Sequence, residues 1–301
     1  MSDINTYADE TAIAGLSPIN GDLVLNQADS SLYLCTNADT TGIARWKKFA
    51  NDSAEAPSFS SSALKFDGID DAATVSGSST GIGAMSLWFK PFDEITTSSS
   101  QTLFMHTANS GYYSVRLNFN SSSLISFYTN SGGNAVHFNP TAYNNSIPTG
   151  QVAVPTSFAA DTWQHFVLNH DSTAGYQIYL NGQNVTTTSK PSIAKTSSSY
   201  FGITRTPGYP YQNFFKGSID DFAVWDSGLT SSEIQSIFNG TPGTVESGKP
   251  NDISGLSITQ PDYYYLMGDA SGDTANACVN TKATSADLTF ANTQSFDSEV
   301  L

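Results

Sequence analysis

The 301-residue chain carries 27 acidic side chains against 12 Lys and Arg, a formal net charge of −15. With no basic patch to release phosphate counterions, nucleic acid is disfavoured as a partner. Charged residues are only 13% of a chain that is 39% hydrophobic and 12% aromatic, so Ser, Thr, Asn and Gly must supply the polar surface, a balance that suits strands and turns. No run of about 18 apolar residues could cross a membrane. The start, MSDINTYADETAIAG, has neither a basic n-region nor an apolar h-region, so synthesis in a cytoplasm without a signal peptide is expected. In that setting Cys35 and Cys278 are expected as free thiols.

Residues 1–56 read as a separate β mini-module. Leu23-Val24-Leu25, Leu32–Cys35 and Ala44–Phe49 are three short strands joined by polar turns at Asp29–Ser31 and Asn37–Gly42. Trp46 and Phe49 are its apolar anchors. A unit this small, with no internal disulfide or metal motif, is expected to dock on a neighbour or a like subunit, which assigns Trp46 and Phe49 to assembly. Asn51–Ser62 is a linker by composition.

Residues 57–243 are strand-rich. Ala63–Phe66 is a strand followed by an acidic loop, Asp67–Asp71. Ala84–Lys90 alternates, with Met85, Leu87 and Phe89 on one side and Trp88 on the other. Tyr112–Phe119 and Leu124–Tyr128 are hairpin arms around Asn120–Ser123. Trp163–Leu168, Tyr176–Leu180 and Val185 form a meander whose Asn181-Gly182 turn is the strongest hairpin signal in the chain, since both residues tolerate positive φ. Phe201–Ile203 and Phe214–Trp225 complete the set. Leu229-Thr230 then opens a helix: Thr230 and Glu233 have capping-box spacing, and Leu229 with Ile234 has staple spacing. Turns every 8–12 residues are the rhythm of a β-sandwich.

The ordered set LKFDGIDDAATV, SLWFKP, DTWQHFVLNHD, YQIYLNGQNV and GSIDDFAVWDSGLTSSEIQSIF resembles the laminin-G-like, concanavalin A-like lectin superfamily over about 180 residues. The resemblance implies an all-β jelly-roll β-sandwich of two antiparallel sheets, six or seven strands each. It also implies a structural Ca²⁺ held by the early acidic loop and a late-strand acid, which carries over to Asp67, Asp71 and Asp220. Such modules usually begin with an aromatic strand and an acidic, glycine-rich loop. Here that signature stands after the helix instead, at Asp262–Gly272 (DYYYLMGDASG). Residues 244–301 are therefore expected to form a C-terminal extension that returns Tyr263–Met267 to a sandwich edge, or else to serve assembly. The N-terminal pattern GDLVLNQADSSLYLCTN…RWKKF is similar to short modules of bacteriophage tail and virion proteins.

Two aromatic segments are candidate contact surfaces. Tyr209, Tyr211 and Phe214 in RTPGYPYQNFF can stack on sugar rings or on a partner protein, and Asn134–Ile147 adds Phe138 and Tyr143. Catalysis is not expected. Glycosidases on similar sandwiches carry carboxylates in a Glu-x-Asp-x-x-Glu pattern, with about 5–9 Å between acid and base, and Glu10, Glu55, Glu94, Glu233, Glu246 and Glu299 do not form it. The Gly77–Gly81 serine motif lies between β segments and not at a strand-to-helix elbow.

Together these readings predict a non-enzymatic structural protein of a phage virion. As a tail fibre, tail-associated or capsid decoration protein, it would attach to other virion proteins through its end pieces. It would present a lectin-like domain to host surface carbohydrate, as a homo-oligomer, with a trimer one arrangement. The alternative is a carbohydrate-binding module of a bacterial surface protein.

Overall fold

The structure, a computed structural model, describes residues 5–7, 23–26, 32–35, 46–49, 62–76, 81–96, 99–108, 111–120, 123–129, 133–187, 196–197, 200–203, 213–240, 250, 252–282, 287–290 and 296–297. The chain divides into two compact units, Met1–Pro57 and Ser58–Leu301.

In the first unit β1 (Asn5–Tyr7), β2 (Leu23–Asn26), β3 (Leu32–Cys35) and β4 (Trp46–Phe49) form one sheet in chain order. The expected three-strand meander is present as β2–β3–β4. A further strand, β1, runs parallel to β2, with Asn5 opposite Val24. The reading missed it because three residues carry too little alternation to announce a strand.

The second unit begins with β5 (Ala63–Asp67), β6 (Ala73–Ser76), β7 (Gly81–Ile82), β8 (Ala84–Pro91), β9 (Gln101–Ala108), β10 (Gly111–Asn120), β11 (Ser123–Thr129) and β12 (Gly133–Phe138). A one-turn helix α1 (Pro140–Asn144) follows, then β13 (Gln164–Asp171), β14 (Gly175–Leu180), β15 (Gln183–Asn184), β16 (Thr196–Ser197), β17 (Tyr200–Ile203) and β18 (Lys216–Trp225). Helix α2 (Ser231–Asn239) leads to β19 (Tyr263–Tyr265), β20 (Ala277–Cys278), β21 (Leu288–Phe290) and β22 (Phe296–Asp297). One eight-stranded sheet has the order β12-β11-β10-β9-β17-β6-β21-β20. The other has the order β15-β14-β13-β8-β18-β5-β22, with β19 also beside β18. The β7–β16 pair stands apart.

Alternation decides which side chains enter the space between the sheets. Met85, Leu87 and Phe89 of β8, Phe166 and Leu168 of β13, and Ile219, Phe222 and Val224 of β18 meet Phe104, Val115, Leu117 and Phe127 of the opposite sheet in one apolar core. Phe89 packs edge-on to Phe158 and Phe215. Trp88 turns to the other side of its sheet, where it packs at a tilt on His165 and stacks with Phe238 of α2. The hairpin turn has the backbone its residues dictate: Asn181 and Gly182 have φ of 49° and 77°, and Leu180 pairs with Gln183.

Helix α2 covers the outer face of this second sheet. Thr230 Oγ1 accepts from the Glu233 N–H, and Glu233 Oε2 accepts from the Thr230 N–H, closing the capping box. Leu229, Ile234 and Ile237 are buried with Val167, Tyr179, Ala223, Trp225 and Tyr264.

The C-terminal segment is built into this unit. β19 pairs with β18, β22 with β5, and β21 with β6. Two of the eight strands in each sheet come from residues beyond 262: β20 and β21 in one, β19 and β22 in the other. Six strands per sheet remain from residues 63–225, so the sheets are wider than expected because the tail adds to both.

Candidate functional site

At the end of β5 the chain turns through Gly68, whose φ is 80°. Asp67 Oδ1 accepts from the Ile69 N–H at 2.7 Å, and Asp71 Oδ2 accepts from the Asp67 N–H at 2.8 Å. These bonds fold the loop so that carboxylate oxygens of Asp67, Asp70 and Asp71 lie within 4.8 Å of one another. Three hard oxygen donors on a turn suit a hard cation that takes oxygen ligands.

Asp220 does not join this group, contrary to expectation. Lys216 is the residue of β18 opposite Asp67. Asp220 lies four positions further along β18, about 13 Å away at roughly 3.3 Å per residue, is fully buried, and stands opposite Trp88. Asp70 takes the third place, which spacing within the loop alone could have indicated. Asp221 is also buried and sits at φ 46° in a bulge of β18, where the register against β8 slips between Asp220 and Ala223.

The aromatic candidates divide. Tyr209 and Tyr211 lie outside the described residues. Phe214 is half-buried and bridges to Thr102 of β9, beside the fully buried Phe215. Trp46 and Phe49 stand at the two ends of β4, opposite Cys35 and Leu32, and their side chains lie outside the described set. Phe138 is a core residue.

Tyr143 belongs to a feature that the sequence otherwise hides. Where β12 of one sheet and β14 of the other approach, the chain closes the sandwich edge. Thr187 donates its N–H and its hydroxyl to the His137 carbonyl, and its Oγ1 accepts from the Asn139 N–H. Thr186 Oγ1 accepts from the Ile178 N–H. Across from this edge, Asn139 caps α1 through Oδ1 and the Ala142 N–H. The Asn144 amide holds both the N–H and the C=O of Val154, at 2.9 and 2.8 Å, and Gln183 Oε1 accepts from the Val152 N–H. Between the two walls lies a cavity of about 590 Å³, lined in part by Tyr143, Ser146, Gln151, Gln177 and Asn184. None of its lining side chains among the described residues is charged. Tyr143 Oη and Gln151 Oε1 are buried and have no hydrogen-bond partner among the described residues.

The cavity is contributed by polar residues on loops and on the outward positions of an edge strand. Such residues are the ordinary surface of this chain, so of its lining only Tyr143 carried a sequence signal. Among the described residues no carboxylate, His or Cys lines it. The glutamates seen elsewhere have structural partners: Glu94 accepts from the Ser157 hydroxyl, and Glu233 from Thr230 and Thr259.

Residues 66–235, more than half of the chain, match the family described as the concanavalin A-like lectin/glucanases superfamily, and the chain belongs to that family. Similar solved structures include a putative carbohydrate binding protein from Bacteroides ovatus, at 14% identity and TM-score 0.49, covering 93% of this chain and 70% of that one. A heptameric SAP-like pentraxin from Limulus polyphemus matches at 14% identity and TM-score 0.45, covering 69% of this chain and 94% of that one. Domain 4 of the arabinanase AbnA from Geobacillus stearothermophilus, solved with arabinotriose, matches at 16% identity and TM-score 0.39, covering 76% of this chain and 92% of that one. No curated protein matches the chain.

Proposed function

We propose that the Ser58–Leu301 sandwich is a non-catalytic carbohydrate-binding module. The observation that carries this reading is the edge cavity: hydrogen-bonding side chains on pre-fixed walls, without a carboxylate pair among the described residues to act as acid and base. A glycan array probed with the full chain tests it. Retention of one glycan class at micromolar protein is expected, and the absence of any retained glycan would sink the reading.

In the same reading the Asp67, Asp70 and Asp71 carboxylates hold a Ca²⁺ ion. Three hard anionic donors fit Ca²⁺, which accepts irregular sets completed by carbonyls and water, better than Mg²⁺, which demands near-octahedral order. The ion would supply charge compensation to the turn.

The module's setting is a further proposal. The N-terminal pattern supports attachment of an oligomer to a phage particle, with the sandwich displayed to host glycan. A bacterial surface protein accommodates the same cavity equally well. Mass spectrometry of purified particles, with native mass spectrometry for copy number, separates the two.

A further inference from the structure

We propose that the edge cavity takes an uncharged saccharide and binds it without a metal ion. This rests on the carbohydrate-binding reading above and assigns its site and ligand class.

Charge sets the class. The chain has a formal net charge of −15, yet among the described residues no charged side chain lines the cavity. A phosphate, sulfate or carboxylate on the ligand calls for Arg or Lys, and a cationic ligand for a carboxylate. Neither is present among the described residues of the lining. The field of an acidic protein further repels anionic sugars.

Hydrogen-bonding capacity then sets the chemistry. Gln177 Oε1 accepts weakly from the Tyr179 hydroxyl at 3.4 Å, and Asn184 Oδ1 accepts from the Thr186 N–H at 3.1 Å. The amide nitrogens of both residues have no partner among the described residues. Tyr143 Oη and Gln151 Oε1 add a hydroxyl and an acceptor in the same condition, both removed from bulk water. Burying such groups unpaired costs about 1–3 kcal/mol each, so a ligand that meets them is favoured. Sugar hydroxyls donate and accept at once, which matches amides presenting N–H and C=O side by side.

The lining also supplies apolar surface, at Ala142, Pro148 and the Tyr143 ring. A pyranose or furanose ring has a C–H face that such surface covers. The volume, about 590 Å³, accommodates a short oligosaccharide unit.

Metal independence follows from topology. The acidic turn ends β5, and four strand steps separate β5 from β14 in the sheet order, about 19 Å at ~4.8 Å per step. A cation held at Asp67, Asp70 and Asp71 therefore has no reach to a ligand at Gln177.

The test uses the full chain on an array of neutral oligosaccharides beside sialylated and uronic-acid glycans, in EDTA and in Ca²⁺. Hits are then titrated calorimetrically against wild type, Tyr143→Phe and Gln177→Ala. Tyr143→Phe removes one buried hydroxyl without changing shape, so it keeps the question open should Gln177→Ala fold poorly. Expected are neutral-glycan binding unchanged by EDTA, and at least tenfold weaker binding in both variants at unchanged Tm. Binding restricted to acidic glycans, or abolished by EDTA, overturns the proposal. Wild-type affinity in Tyr143→Phe and in folded Gln177→Ala also overturns it while leaving the carbohydrate-binding reading intact. Absence of any glycan binding by wild type removes both.

Discussion

The Tyr264 hydroxyl donates a 2.7 Å hydrogen bond to Asp221 Oδ1 and accepts from the Ile253 N–H at 3.1 Å. Both side chains are buried, and the bond ties the C-terminal segment to the bulge of β18. Burial, the Asp221 charge and that of Asp252 push the Tyr264 hydroxyl well above its usual range, so it remains a donor at every working pH. Tyr264→Phe deletes this donor from a buried carboxylate and the acceptor from a backbone N–H. It is expected to lower unfolding free energy by about 2–3 kcal/mol, read as a lower urea midpoint at unchanged m-value. An unchanged midpoint would remove the latch from the account of stability.

The same segment supplies strands to both sheets, so its removal should be worse than the loss of one bond. A chain ending at residue 249 exposes the β18 edge that Tyr263–Tyr265 covers and the β5 and β6 edges that β22 and β21 cover. It also strips Tyr265 from its stack on Phe222. Open hydrophobic edges pair with other chains. The truncated protein is expected in the insoluble fraction. A soluble, cooperatively unfolding monomer of this truncated chain would contradict this.

The sandwich was legible because its signals are local. Alternation in β8, the Asn181-Gly182 turn and the Thr230–Glu233 capping box each need only a few neighbouring residues to act. The aromatic signature at Asp262–Gly272 pointed to a returning strand because the resembled family carries such a strand in its sandwich; in the structure Tyr264 lies outward with α2, and Tyr265 inward with Phe222. What depended on distant register stayed hidden. Whether Asp220 reaches Asp67 is decided by the pairing of Lys216 with Asp67, which no local pattern encodes. The cavity is the extreme case, since Tyr143 and Gln177 meet only because the edges of two sheets close on each other.

Calcium should stabilise the folded chain if the acidic turn binds it. Saturation at about 100 times Kd contributes about 2.7 kcal/mol, which in a domain of this size raises Tm by about 5–10 °C. Asp71→Asn keeps a side-chain oxygen to accept from the Asp67 N–H while removing one charge. It is expected to cancel most of the calcium-induced shift without lowering the metal-free Tm. Identical melting curves in EDTA and in millimolar calcium would rule the site out.

Acid should begin to destabilise the protein above the carboxylate range. His106 and His165 are fully buried, and burial lowers both to about 3; His165 also shares a 2.8 Å hydrogen bond with Ser86. Glu233 adds to this at lower pH. Partial burial works against its ionised form, but bonds from Thr230 and Thr259 outweigh it and hold the carboxyl at about 2. In each case the folded value lies below the unfolded one, so the unfolded chain binds more protons and stability is lost as pH falls. For the histidines the window opens near pH 6.5 and closes near 3; for Glu233 it runs from about 4.5 to 2. Two histidines remove on the order of 4 kcal/mol between pH 7 and pH 5. Urea titrations at half-unit pH steps should show that slope, and His165→Gln, which retains a polar partner for Ser86, should halve it. A profile flat from pH 7 to pH 5 would show that the imidazoles are reached by solvent.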